Sequence, residues 1–356
     1  AAGNTGSVAT QAYVLDTTAP TLGTVGIATA GTGNANDGDV VTLTFTADEE
    51  IQTPTCTMND GAGAAMDNSG SMSVTNPSGN IWKCAVTTHN NDANNAMTFS
   101  IAFTDVGGTA GVADTSVDDG SSVTIDNTHP TMTPVSIAVD NTGNANDGDD
   151  ITLSFTTSEG IQTPTCTFTS GNAAMADSSI TVAEGSNNAW TCVLDVADGD
   201  TNGAVGFSIA FSDDAGNAGT SATAVTDGTS VTVDNTHPTL TPVSIAVNNN
   251  GNANDGDDIT LSFTASEGIQ TPTCTFTSGN AAMADSSITV AEGSNDAWTC
   301  VLDVDNGDTD GAVAFSIAFT DDAGNAGVAV SAVSDSTSVT VDNTHPTLTN
   351  IAMTTS

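Results

Sequence analysis

The chain has 356 residues, 43 acids and a single Lys or Arg, Lys83, for a formal charge of −42. That charge repels phosphate and anionic headgroups, which excludes nucleic acid as a partner and makes the compact state depend on counter-cations. Six of the acids are Glu and 37 are Asp, a residue suited to turns and cation ligation more than to helix.

At roughly 100 to 150 residues per domain the length allows two to four domains, and an internal repeat sets the number at three. The word Val233-Asp234-Asn235-Thr236-His237-Pro238 recurs at Ile125 to Pro130 and Val341 to Pro346, and as Leu15-Asp16-Thr17-Thr18-Ala19-Pro20. Its prolines stand 110, 108 and 108 residues apart. Residues 16–126, 127–234 and 235–342 are therefore one domain each. Residues 1–15 echo Asp214-Ala215-Gly216-Asn217 and are expected to be the last strand or strands of a preceding repeat. Residues 343–356 match the first strand of a following repeat, so the chain is expected to be a window from a longer polypeptide.

Within the second repeat, Val135 to Val139 and Ile151 to Phe155 alternate apolar and polar residues, the period of a strand with one buried face. Thr165 to Phe168, Ile180 to Val182, Trp190 to Leu194, Val205 to Phe211 and Ser230 to Val233 continue the pattern. Seven short strands between Gly, Asn and Asp clusters, with no helical period, predict an all-β fold: tandem seven-stranded immunoglobulin-like sandwiches in an extended rod. The third repeat nearly copies the second; the first diverges, with Asp48-Glu49-Glu50 in place of Ser158-Glu159-Gly160. No apolar run approaches the roughly 20 residues that cross a bilayer.

The six Cys fall as one pair per repeat, Cys56 with Cys84, Cys166 with Cys192 and Cys274 with Cys300, which points to an oxidising, extracellular or cell-surface location. Strand alternation turns Cys166 and Cys192 inward on the third and fifth strands. Each pair is expected to form an intradomain disulfide worth about 3.5 kcal/mol on the chain-entropy model.

Strands that run alternately down and up place every second loop at the same pole. The outgoing pole then holds Asp140, Asp147, Asp149, Asp150, Asp198, Asp200 and Asp234, and the incoming pole Glu159, Asp213 and Asp214. Stacked end to end, the second and third domains would bring Asp147, Asp149, Asp150, Asp198, Asp200 and Asp234 towards Glu267, Asp321 and Asp322. Like charges so crowded repel strongly, and an oxygen-only ligand set suits Ca2+, which is predicted at each junction. Solvated turns that hold only diffuse cations, or a halophile-type acidic surface, are the alternatives. Residues 144–150 lack the 12-residue frame of an EF-hand.

The junction word, Gly256-Asp257-Asp258-Ile259-Thr260-Leu261-Ser262-Phe263 with Ser266-Glu267, and Asp321-Asp322-Ala323-Gly324-Asn325 together resemble the bacterial Ig-like repeats of large surface adhesins. The resemblance spans all three repeats. It implies Ca2+ near the junctions, with Asp234, Glu267 and Asp321 as ligands, and Asp126, Glu159 and Asp213 one junction earlier. Asp105-Val106-Gly107 departs from the last motif, so the first domain is expected to hold the weaker cation sites.

No catalytic constellation is present. His129, His237 and His345 each stand without a second His or a free Cys, which argues against zinc and for packing beside the linker Pro. There is no Gly-x-Ser-x-Gly and no glycosylation sequon, since Asn76 precedes Pro77. Lys83 sits on the outward face of its strand, so an isopeptide bond is not expected. The chain reads as a non-enzymatic, Ca2+-stiffened filament or adhesin stalk whose partners are neighbouring repeats and, in a fibre, other copies. The alternative is a carbohydrate- or surface-binding array; the sequence says nothing of a distal ligand.

Overall fold

The computed structural model describes residues 15–31, 33–66, 72–175, 180–283, 288–351 and 353. The expected strand in residues 1–15 lies, but for Leu15, outside them. Among the described residues there is no helix.

In the second domain one sheet joins, in order, Met132–Val139, Asp150–Thr157, Ala189–Asp195 and Thr181–Glu184. The other joins Ala173–Ala174, Thr165–Ser170, Gly203–Ala210 and Thr232–Val233. Numbered along the chain without the two-residue piece Ala173–Ala174, the orders are first-second-fifth-fourth and third-sixth-seventh. That division defines an immunoglobulin-like sandwich. The third domain repeats it from Leu240–Val247 to Thr340–Val341. The first keeps the four-stranded sheet, from Leu22–Ala28 to Ile81–Thr87, but splits the other into smaller pieces. The chain is thus all-β, with tandem Ig-like domains.

The alternation read from the sequence is the register of these ladders. Leu153 opposes Cys192 and Phe155 opposes Trp190 across the second and fifth strands, all four facing inward. Three separate cores result, one per domain. Each is crossed by a disulfide from the third strand to the fifth: Cys56–Cys84, Cys166–Cys192 and Cys274–Cys300, at sequence separations of 28, 26 and 26. One detail differs from expectation: the last strand is shorter, with only Thr232–Val233 in the ladder, and Ala145 of the first loop bridges Val233 in parallel. Trp82 is only half-buried, whereas Trp190 and Trp298 are buried.

The long segment before the seventh strand runs along the free edge of the first strand. There Thr226 Oγ1 accepts the Val135 N–H and Thr229 Oγ1 the Ile137 N–H. Ser334 and Thr337 do the same for Val243 and Ile245, and Asp118 and Ser121 for Val25 and Ile27. Short oxygen-bearing side chains thus satisfy an edge that would otherwise offer unpaired donors. Residues 343–351 contain no strand.

Candidate metal centres at the domain junctions

The junction word can be read residue by residue at the second boundary. Val233 closes the core of the second domain. The Asn235 amide donates to the carbonyls of Ala197 and Asp200, clamping the loop between the fifth and sixth strands. Thr236 donates its N–H to Asp234 Oδ1, and Asn202 of the sixth strand's approach donates to the same oxygen at 3.0 Å. His237 crosses to the next domain, where its Nδ1 lies 2.9 Å from the carbonyl of Ala326, so Nδ1 carries the proton. His129 makes the same bond to Ala218. Pro238 is buried behind it.

These contacts carry the Asp234 carboxylate from the end of one domain to two loops of the next. One carboxylate oxygen each from Asp234, Glu267 and Asp321 lies within 4.8 Å of the others, and Asp126, Glu159 and Asp213 form the same triad at the preceding boundary. A third triad, Asp16, Glu49 and Asp105, stands at the start of the first domain. Each combines the junction Asp, the Glu of the second loop and the Asp of the loop after the sixth strand.

That last Asp is the fixed point of each triad, being 2% exposed in all three domains. Asn325 holds it in the third domain: its N–H bonds Asp321 Oδ1 at 2.8 Å and its amide bonds Oδ2 at 2.9 Å. The same amide donates to the carbonyl of Asp234 at 2.7 Å, so one side chain joins both domains. Asn217 repeats all three bonds with Asp213 and Asp126. Asn146 of the second domain reaches Asn325 at 3.3 Å, and a Cβ on Gly143 would lie 2.4 Å from the Asp322 carbonyl.

Crowding shows in the central Glu. Burial, then Asp126 and Asp213, pushes the Glu159 carboxyl above the ordinary 4.5. Burial, then Asp234 and Asp321, does so for Glu267. Burial, then Asp16, Asp48 and Asp105, does so for Glu49. A raised carboxyl binds more protons folded than unfolded. Its contribution is therefore full below 4.5 and is lost as pH rises through the raised value. The ion-free chain is expected to lose thermal stability between pH 4.5 and neutrality, and Glu159→Gln with Glu267→Gln to flatten that fall. An unchanged slope in the double variant would show that the two Glu do not set it. Asp48, whose oxygens take the Thr21 N–H and hydroxyl, and Asp105, held by the Thr109 N–H, are pushed down instead, so their contribution is lost only below 3.8.

Other expected ligands sit elsewhere. Asp147 Oδ1 accepts the Asp198 N–H, Asp149 Oδ2 the Asn146 N–H, and the buried Asp200 the Ala197 N–H. Asp149 and Asp200 thus cap tight turns, each on a backbone N–H three residues away, while Asp147 ties its own loop to the loop between the fifth and sixth strands. Asp198, Asp214 and Asp322 are exposed and belong to no triad among the described residues. Asp16, Glu49 and Asp105 were not named as ligands in the sequence, where only weaker first-domain sites were expected, although Leu15 to Pro20 repeats the junction word and places Asp16 in register with Asp126 and Asp234.

No known protein family matches the chain, and no curated protein sequence does. Solved structures with a similar fold include an I-band fragment of titin, with 13% identity and a TM-score of 0.39 over 92% of this chain and 100% of that one. A tetra-tandem repeat from the extending region of a large adhesion protein has 16% identity and a TM-score of 0.30 over 91% of this chain and 75% of that one. The N-terminal eight Ig domains of Down Syndrome Cell Adhesion Molecule have 15% identity and a TM-score of 0.28 over 90% and 36%. At these values the Ig-like assignment rests on the strand order above. No helix among the described residues is long and apolar enough to cross a membrane.

Proposed function

We propose that the chain is a structural segment of a long extracellular filament or adhesin stalk, related to bacterial Ig-like repeats, in which Ca2+ at the domain junctions stiffens the array. The observation that carries this reading is the composition of each boundary triad: Asp126 or Asp234 comes from the end of one domain, while its Glu and second Asp come from loops of the next. A cation held by such a set ties two domains through one ligand shell. The donors fit Ca2+, which takes six to eight oxygens including mono- or bidentate carboxylates; three carboxylates with carbonyls and water would complete the shell. Without a cation, Glu159 and Glu267 sit against like charges, and occupancy relieves that repulsion.

All six Cys are engaged in disulfides, which suits an oxidising compartment outside the cytoplasm. The partners of such a segment are neighbouring repeats and, in a fibre, further copies. In a linear array each junction sets the local bending stiffness. Chelation is expected to shorten the persistence length measured by electron microscopy, and Glu159→Gln with Glu267→Gln to give the same bending without chelator. Equal persistence length with and without chelator would overturn the proposal.

A further inference from the structure

The residues that back the three triads differ in the first domain. Where the second and third domains have Asn217 and Asn325, the first has Thr109, whose N–H still reaches Asp105 Oδ1 at 2.7 Å. Thr offers a short hydroxyl beside Asp105 in place of the amide, and Asp105 Oδ2 is buried with no hydrogen-bond partner. The corresponding oxygens of Asp213 and Asp321 are each occupied by an Asn amide. A second change acts in the same direction. The hydroxyl that anchors the linker N–H, Ser158 to Thr131 and Ser266 to Thr239, is replaced by the carboxylate of Asp48, bound to Thr21. Asp48 thereby places a further negative charge beside Glu49.

We infer that Asp16, Glu49 and Asp105 form a distinct divalent-cation site, the tightest in the chain, and that the residue at 109, 217 or 325 grades the sites. This deepens the reading above and rests on it. Cation affinity is measured against the ion-free site. In the second and third domains the ion-free Asp already has both oxygens satisfied, so a cation adds coordination but relieves no buried orphan. In the first domain it supplies the missing partner of Asp105 Oδ2, and a buried carboxylate oxygen without a partner is costly. The higher local charge contributed by Asp48 favours the cation further. The departure from the motif around Val106 and Gly107, which in the sequence suggested the weaker site, thus marks the stronger one.

The test uses the whole 356-residue chain, stripped with chelator and titrated with Ca2+ by calorimetry, with Tb3+ luminescence as a second probe. One class of site is expected to bind about 10- to 100-fold tighter than the rest, the factor that relieving one unsatisfied buried polar group is worth. Thr109→Asn, which restores the residue of the other two domains and so leaves the turn intact, is expected to bring that class down to the others. Asn217→Thr is expected to create a second tight site. Saturable binding with all sites alike, or with Thr109→Asn unchanged, overturns the grading while Ca2+ at the junctions stands. No saturable binding at any site overturns both.

Discussion

A chain carrying Cys166→Ala and Cys192→Ala is expected to unfold its second domain about 15 to 25 °C below the first and third in a calorimetric scan. The bridge joins the third strand to the fifth, and no backbone ladder connects those two, since the third pairs with the sixth and the fifth with the second. It is the covalent link between two sheets otherwise held by side-chain packing. The chain-entropy contribution of about 3.5 kcal/mol converts to that shift at about 4 to 8 °C per kcal/mol for a domain of this size. Cys192 is fully buried, so Ala there also leaves a small cavity. A shift of only a few degrees would show that packing alone holds the sheets. A common shift of all three transitions would show that the domains unfold as one unit.

Asn325→Ala is expected to lower the stability of the chelator-stripped third domain by about 3 kcal/mol, since it leaves both Asp321 Oδ2 and the Asp234 carbonyl without their donor. The loss should shrink in saturating Ca2+, because the oxygen that Asn325 releases becomes a ligand. Thermal scans with chelator and with Ca2+ measure both. If the variant loses under 1 kcal/mol without the cation, Asn325 does not lock the junction. If its loss is the same in both conditions, the freed oxygen does not meet the ion.

The sandwich was legible because a strand with one buried face writes its register into the chain: Val135, Ile137, Leu153 and Phe155 are buried where alternation put them. The pole argument brought Asp234 towards Glu267 and Asp321, since strand direction alone decides which loops share an end, and one oxygen of each lies within 4.8 Å of the others. Within an end its resolution ran out. Asp149 and Asp200 share the outgoing pole with Asp234, yet their carboxylates turn back onto backbone donors three residues away, a choice made by turn dihedrals that residue types do not specify. Asn217 and Asn325 stood in a recognised motif, but that one amide spans a carboxylate and a linker carbonyl is a matter of side-chain direction. The first-domain triad was discounted because its motif was incomplete, although Asp105 held its place.

The capped edge of the first strand bears on crowding between molecules. Every domain keeps a Thr, Ser or Asp oxygen on that strand's outward N–H groups, by way of Thr226, Ser334 and Asp118. Three different residues perform the same task, so the requirement is an acceptor on a short stem. Chains lying side by side are thereby denied that rim as a template for sheet extension. Many copies of such a chain, packed side by side, would find no template there for zipping into amyloid-like bundles.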